Sequence, residues 1–413
     1  MALVAARTYA PQLPRPVWIL QAGGFANAVG SGLVLPFVLI YLHDALGLPL
    51  VLAGLAVGGF GLASLVATPL AGTLVDRVGA RTVLRGSLLV LAVGYGAFPF
   101  VRSVPEAFAV LAVAGLGNGG FWPSQSALVM GLSGDGQRHH ASAVGRATYN
   151  LGLGAGSALG GLVLVGASTG RFELLFGADA VTFVVFAVAT FAVPAVGAAR
   201  SATAGRGSGY RAVARDRIFV ALIVLNVVYV AGAFAPFETA LPLYARHHLG
   251  LAPSAIGFVF LANMLAVGVL QLPVARAIEG RRRLRMLAGM TALWVVAFAL
   301  IFGSGHLPQA LAVGLVVLAA VVFAAGECVL GPAHSPIVIA LAPPELRGRY
   351  LAVLTASYAV GFAVGPPLAA AGLSVSPGGV WVVAAAICVL AAVAGLAIER
   401  RLPLALRTTP VTT

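Results

Sequence analysis

The side chains best suited to chemistry are three acids set within long apolar runs: Asp179, Glu238 and Glu327. An ionised carboxylate in hydrocarbon is costly, so an acid kept there points to function. Desolvation disfavours its charged form, which suits it to binding and releasing a proton. Glu327 lies well inside its run, after Gly326 and before Gly331-Pro332, and is the first choice for a proton or cation site. Glu238 follows Pro236, and the two acids are expected to form a pair. Asp179, in the stretch Phe176 to Phe183, reads better as a structural hydrogen-bonding group. His334 stands about two helical turns beyond Glu327, which makes it a candidate proton partner, although a lone helical histidine more often packs or bonds locally.

Neutral side chains that would complete a substrate cavity are Asn27, Asn118, Gln125, Tyr149, Asn150, Asn226, Asn263, Gln271 and Tyr358, with Phe234 as an aromatic wall. Phe121, Trp122 and Phe237 offer further aromatic lining, but aromatics at helical spacing are more often packing. His139-His140 and His247-His248 fall in loops without neighbouring acids or cysteines and make weak metal sites. Cys328 and Cys388 lie in apolar runs and behave as small hydrophobes. No catalytic constellation and no nucleotide-binding loop stand out, which argues against an enzyme, an ATP-driven pump or a bound cofactor.

These groups must be held by membrane-spanning helices. Of 413 residues, 60% are hydrophobic and only 9% charged, and the mean hydropathy is +1.01. A soluble fold cannot hide that much apolar surface. The runs are long enough to cross a bilayer, and they lack the alternation of barrel strands. The expectation is an all-α integral membrane protein with about twelve spans, at residues 17–42, 51–74, 83–101, 107–132, 143–168, 174–197, 218–243, 253–277, 286–303, 310–341, 350–373 and 379–398. The formal charge of +13 comes from Arg alone, there being no Lys. All Arg except Arg102, Arg171 and Arg246 fall on one side of that topology, so that side, with both termini, is expected to be cytoplasmic. Arg in short loops between spans argues against nucleic-acid binding despite the high pI. The first run is too long for a signal peptide.

The connector 198–217 holds Arg200, Arg206, Arg211, Arg215 and Arg217 among Gly, Ser and Ala, and reads as a flexible linker. It separates an N-terminal unit, 1–197, from a C-terminal unit, 218–413. The two are related. Residues 117–161 match 326–370 without a gap: Gly117 falls on Gly326, Pro123 on Pro332, Arg138 on Arg347, Tyr149 on Tyr358 and Gly156 on Gly365. Another register pairs Tyr41 with Tyr244, Gly47 with Gly250 and Gly54 with Gly257. Odd spans fall on odd spans, so the repeat is parallel, with six helices in each half.

Two motifs carry a resemblance. Gly72-Thr-Leu-Val-Asp76-Arg77-Val-Gly79-Ala-Arg81 follows the second span; Gly72 allows close helix approach and Gly79 a tight turn. Gly152, Gly156, Gly160 and Gly161 recur along the fifth span, with Ser157 among them, and Gly361, Gly365, Pro366, Ala369 and Ala370 repeat the pattern in the eleventh. The first motif resembles the loop 2–3 signature of the major facilitator superfamily. The second resembles the antiporter motif of its drug-exporting members, with Ser157 where they carry proline. The resemblance implies two pseudo-symmetric six-helix bundles, a gating charge relay at Asp76 and Arg77, and a chain that works as a monomer. It implies proton-coupled efflux of amphipathic or cationic small molecules by alternating access in the cell membrane, with protons, substrate and lipid as partners. Membrane-embedded acids at the positions of Glu238 and Glu327 resemble those of some multidrug facilitators. The Arg that such exporters carry in the fourth span is missing; Leu111 to Gly119 offers only Asn118. The alternatives are an importer or uniporter of a small polar nutrient, separable by substrate profile, and a non-transporting receptor, separable by flux.

Overall fold

The computed structural model describes residues 13–166, 169–195 and 208–408. Twelve long helices run through them: α1 (Arg15–Ala45), α2 (Leu50–Val78), α3 (Ala80–Phe100), α4 (Val104–Leu132), α5 (Arg138–Val163), α6 (Thr169–Ala192), α7 (Arg217–His247), α8 (Pro253–Ala277), α9 (Arg283–Ser304), α10 (Gln309–Leu341), α11 (Arg347–Val375) and α12 (Gly379–Glu399). Eleven are long and apolar enough to cross a membrane. The exception is α5, expected as a span over 143–168. It carries Arg138, Arg146, Asn150 and its run of glycines, which dilute its apolar character, and it ends earlier, at Val163. Packing explains how it is accommodated: α5 lies along both α1 and α8 and meets protein on two faces.

The helices form two six-helix bundles. In the first, α1 packs on α5 and α6, α2 on α4, and α3 on α4 and α6; in the second, α7 packs on α11 and α12, α8 on α10, and α9 on α10 and α12. The sequence repeat is present in the backbone. Gly47 and Gly250 both turn the chain with positive φ, +68° and +67°. The Tyr41 hydroxyl donates to the Phe98 carbonyl at 3.1 Å, and the Tyr244 hydroxyl donates to the Ile301 carbonyl at 3.5 Å. Both phenol rings are buried, and each fastens the carboxyl end of its helix to the end of α3 or α9.

The glycine stripe of α5 lets two backbones meet. A Cβ on Gly152 would stand 2.8 Å from the Phe25 carbonyl oxygen, and one on Gly160 would stand 2.6 Å from that of Leu33; one on Gly156 would overlap the Val29 carbonyl oxygen, all on α1. Small residues at such spacing are how membrane helices approach closely.

The connector expected to be flexible over 198–217 is helical where it is described. Residues 198–207, including Arg200 and Arg206, lie outside the described residues. Ser208–Arg215 forms a short helix. It is amphipathic: Val213 is buried with Phe219, Val338, Tyr350 and Leu354, while Arg211 and Arg215 face out. Asp216 caps the next helix. Its Oδ1 accepts from the Ile218 and Phe219 amides at 3.1 and 3.0 Å, and its Oδ2 accepts from the Tyr350 hydroxyl at 3.0 Å. Asp216→Ala should lower stability by about 0.5–2 kcal/mol, the usual worth of such a cap. The check is the melting temperature in detergent, and an unchanged value would remove the cap from the account.

Candidate functional site

Two of the three intramembrane acids come together in the second bundle. Glu238 sits in a π turn, Pro236–Ala240, directly after another, Val230–Phe234. Proline lacks the amide that a regular ladder needs, and π turns inside α-helices are frequent at functional sites. Glu327 lies midway along α10. The two carboxylates are close enough for their charges to interact. Glu327 is also within electrostatic range of Tyr358 on α11, and Glu238 within range of Tyr149 on α5. Tyr149 belongs to the first bundle and Glu238 to the second, so this electrostatic reach spans the two bundles. Glu238, Glu327, Tyr149, Asn150, Tyr358, Gln125 and Phe234 are all half-buried, each keeping part of its surface accessible.

The other expected members lie elsewhere. Asn226 and Asn263 are corrected from cavity lining to helix ties. Asn226 is fully buried and donates to the Ser357 hydroxyl at 2.8 Å, joining α7 to α11; Asn263 donates to the Ala320 carbonyl at 2.9 Å, joining α8 to α10. A buried amide bonded this way is unavailable to a substrate. Asn27 is also buried, and its Oδ1 has no partner. Asn118 donates to the Ser64 hydroxyl at 3.1 Å, between α4 and α2. Gln271 donates to the Cys328 carbonyl at 3.4 Å. His334 is buried, with Nε2 3.2 Å from the Leu222 carbonyl oxygen, so it ties α10 to α7. Asp179 is completely buried on α6 beside Thr182 and Ser31, where it holds α6 to α1. Phe234 contacts Trp294 and Phe323 at ring distances of 5.2 and 5.6 Å, while Phe237 stacks on Phe323 at 4.1 Å and is buried packing.

The bundles meet chiefly at one end, along α2–α11 and α5–α8. A Cβ on Gly54 would lie 3.0 Å from the Pro366 carbonyl oxygen, and one on Gly257 would overlap the Ser157 carbonyl oxygen. Gly54 and Gly257 are repeat equivalents, and so are Ser157 and Pro366. The closed end is therefore one contact made twice. Asp44 reaches across it to His247, Oδ1 to Nε2, at 2.8 Å. The repeat also pairs these two positions, a juxtaposition that the sequence reading missed although its register contained it. Towards the other end the bundles part: Gly72 on α2, Gly268 on α8 and Gly348 on α11 have nothing within 4 Å of a Cβ position.

The loop 2–3 motif lies at this open end. Gly79, with φ +85°, makes the turn between α2 and α3. Gly72, expected to permit close helix approach, has nothing within 4 Å of a Cβ position in this conformation. Asp76 and Arg77 are exposed and have no hydrogen-bond or ion-pair partner among the described residues, so the charge relay is not assembled in this conformation. Arg81 donates to the Val193 carbonyl at 2.8 Å. Arg85, which the sequence reading passed over, donates to the Thr190 hydroxyl at 2.8 Å and stands 3.7 Å over the Phe191 ring. Together they fasten α3 to the carboxyl end of α6, whose free carbonyls attract cations. Their spacing of one helical turn was the available signal.

Residues 21–252 and 229–412 match the profile of the Major Facilitator Superfamily. The chain is 28% identical over 366 residues to the uncharacterised MFS-type transporter YttB of Bacillus subtilis (strain 168), covering 86% of this chain and 87% of the relative. It is 26% identical over 351 residues to the multidrug resistance protein MdtH of Aeromonas hydrophila subsp. hydrophila, covering 83% of this chain and 84% of the relative. In fold it is similar to a mutant of the nucleoside transporter NupG, with a TM-score of 0.79, 14% identity, and coverage of 93% of this chain and 100% of the other. These relatives are membrane transporters rather than enzymes. With two six-helix bundles, a parallel repeat and a family profile spanning nearly its whole length, this chain belongs to the major facilitator superfamily.

Proposed function

We propose that this transporter exports amphipathic or cationic small molecules in exchange for protons. The observation that carries the reading is the Glu238–Glu327 pair, with Tyr149 of the first bundle in range of Glu238. A deprotonated pair attracts a cation. A proton arriving from the far side removes negative charge, weakens the cation and favours its release. The similarity to proteins named for multidrug resistance supports the same direction. In this reading residues 1–197 and 218–413 rock as units about the central cleft. The Arg-rich end and both termini face the cytoplasm, and the chain works as a monomer in the cell membrane.

The test is flux of a cationic dye in proteoliposomes under an imposed pH gradient. Accumulation driven by the gradient and abolished by a protonophore is expected. Absence of dye movement, with uptake of a neutral nutrient instead, would replace export with import.

A further inference from the structure

A second site lies away from the cleft, between the start of α9 and the end of α12. There Arg282, Arg285, Ala288, Leu396, Glu399, Arg400 and Arg407 line a cavity of about 520 Å3. The chain beyond α12 folds back to close it. The Arg283 amide donates to the Arg407 carbonyl at 2.8 Å, and Arg282 forms a single antiparallel bridge with Thr408. Arg407 is held by the Leu402 and Arg400 carbonyls, at 2.9 and 3.1 Å. Glu399 is the only acid lining the cavity. Its Oε1 lies 2.7 Å from Arg282 Nε, and its Oε2 lies 3.7 Å from Arg285 Nε.

Four arginines and one glutamate thus line the cavity, which keeps a positive excess. The neighbouring Arg283 is itself buried, and its Nε and Nη1 have no hydrogen-bond partner, so the surroundings hold a further uncompensated cation. Guanidiniums clustered in a recess favour an anion with several oxygens, and phosphate suits their forked geometry. The cavity is also continuous with lipid-facing surface. Leu396 belongs to a stripe with Val393 and Val389 along α12, and Ala288 lies about two turns before Val296 on the adjacent α9; Leu396, Val393, Val389 and Val296 are exposed. A soluble anion has no use for such an apolar track, whereas acyl chains do.

We propose that this recess binds an anionic phospholipid, with its headgroup phosphate among Arg285, Arg400 and Arg407 and its chains along the exposed faces of α9 and α12. Basic pockets between membrane helices are known places for such headgroups. Arg282 stays with Glu399, and the remaining guanidiniums provide the attraction. The bound lipid would fasten the C-terminal tail to the second bundle.

The experiment uses the full chain in detergent. Phosphatidylglycerol, phosphatidylcholine and inorganic phosphate are each titrated, with binding read by native mass spectrometry and melting temperature. The expected result is retention of phosphatidylglycerol over phosphatidylcholine, no stabilisation by inorganic phosphate at matched concentration, and binding weakened roughly thirtyfold in Arg285→Gln/Arg400→Gln, each cation near an anionic headgroup contributing to the attraction. Arg400→Lys, which keeps the charge but not the fork, should fall between the unsubstituted chain and Arg400→Gln. Melting of the double variant without lipid separates a folding defect from lost binding. If that variant misfolds, the single Arg400→Gln chain, whose position carries no ion pair to Glu399, is measured instead. Equal retention of the two lipids, an unchanged affinity in a folded variant, or full replacement by inorganic phosphate would overturn the proposal.

Discussion

Glu327→Gln is expected to abolish proton-driven accumulation of a cationic dye while leaving the protein folded and binding the dye only with the weaker affinity of the neutral state. Glutamine keeps the size and polarity of the side chain but can neither carry a negative charge nor titrate. Exchange depends on substrate and proton competing for the same charge, so removing it uncouples the two. Coupling energies between sites usually correspond to about 5–150-fold in affinity, and the pH dependence of dye binding should collapse by that order. Glu238→Gln should weaken coupling in the same direction, because the two charges interact. The measurement is dye flux and dye affinity at two pH values for both variants and their combination. Wild-type coupling in the double variant would exclude the pair from the proton path.

Gly257→Val is expected to force open the end of the molecule that is closed here. The new side chain would enter the Ser157 carbonyl oxygen and the Ala158 backbone on α5, where the neighbour is main chain and cannot swing aside. Overpacking of this kind costs about 1–3 kcal/mol. That cost falls only on the conformation in which α5 and α8 touch, so the population should shift about 5–150-fold towards the opposite one. Spin labels at Pro49→Cys and Ala252→Cys, the equivalent positions preceding α2 and α8, report the separation of the bundles. A longer, broader distance distribution is expected. A distribution identical to that of the unsubstituted labelled chain would mean that this seam does not govern opening.

The helices were legible because hydropathy alone marks them; most boundaries shift by only a few residues, and α5 and α6 move furthest, both ends of each lying earlier in the chain than expected. The duplication was legible through glycine and tyrosine spacing, since those residues occupy turns and anchors that both halves need. Glu238 and Glu327 were legible because a carboxyl in an apolar run is conspicuous. Which neutral polar groups face the cleft was not. Asn226 and Asn150 look alike in sequence, yet one is bonded to Ser357 and buried while the other keeps accessible surface. That depends on helix rotation; the uniformly apolar residues around Asn226 and the mixed ones around Asn150 give too little contrast between faces to fix it. The Asp44–His247 contact and the Arg recess depend on chain segments far apart in sequence, which no local pattern brings together.

The doubled contact at the closed end has a mechanical consequence. Two seams related by the pseudo-twofold axis act like a pair of hinge leaves fastened on opposite sides of a door. Neither can peel back alone unless a six-helix bundle bends, and close-packed bundles resist bending. The end therefore opens in one concerted step, with no half-open state in which one seam has parted and the other still holds.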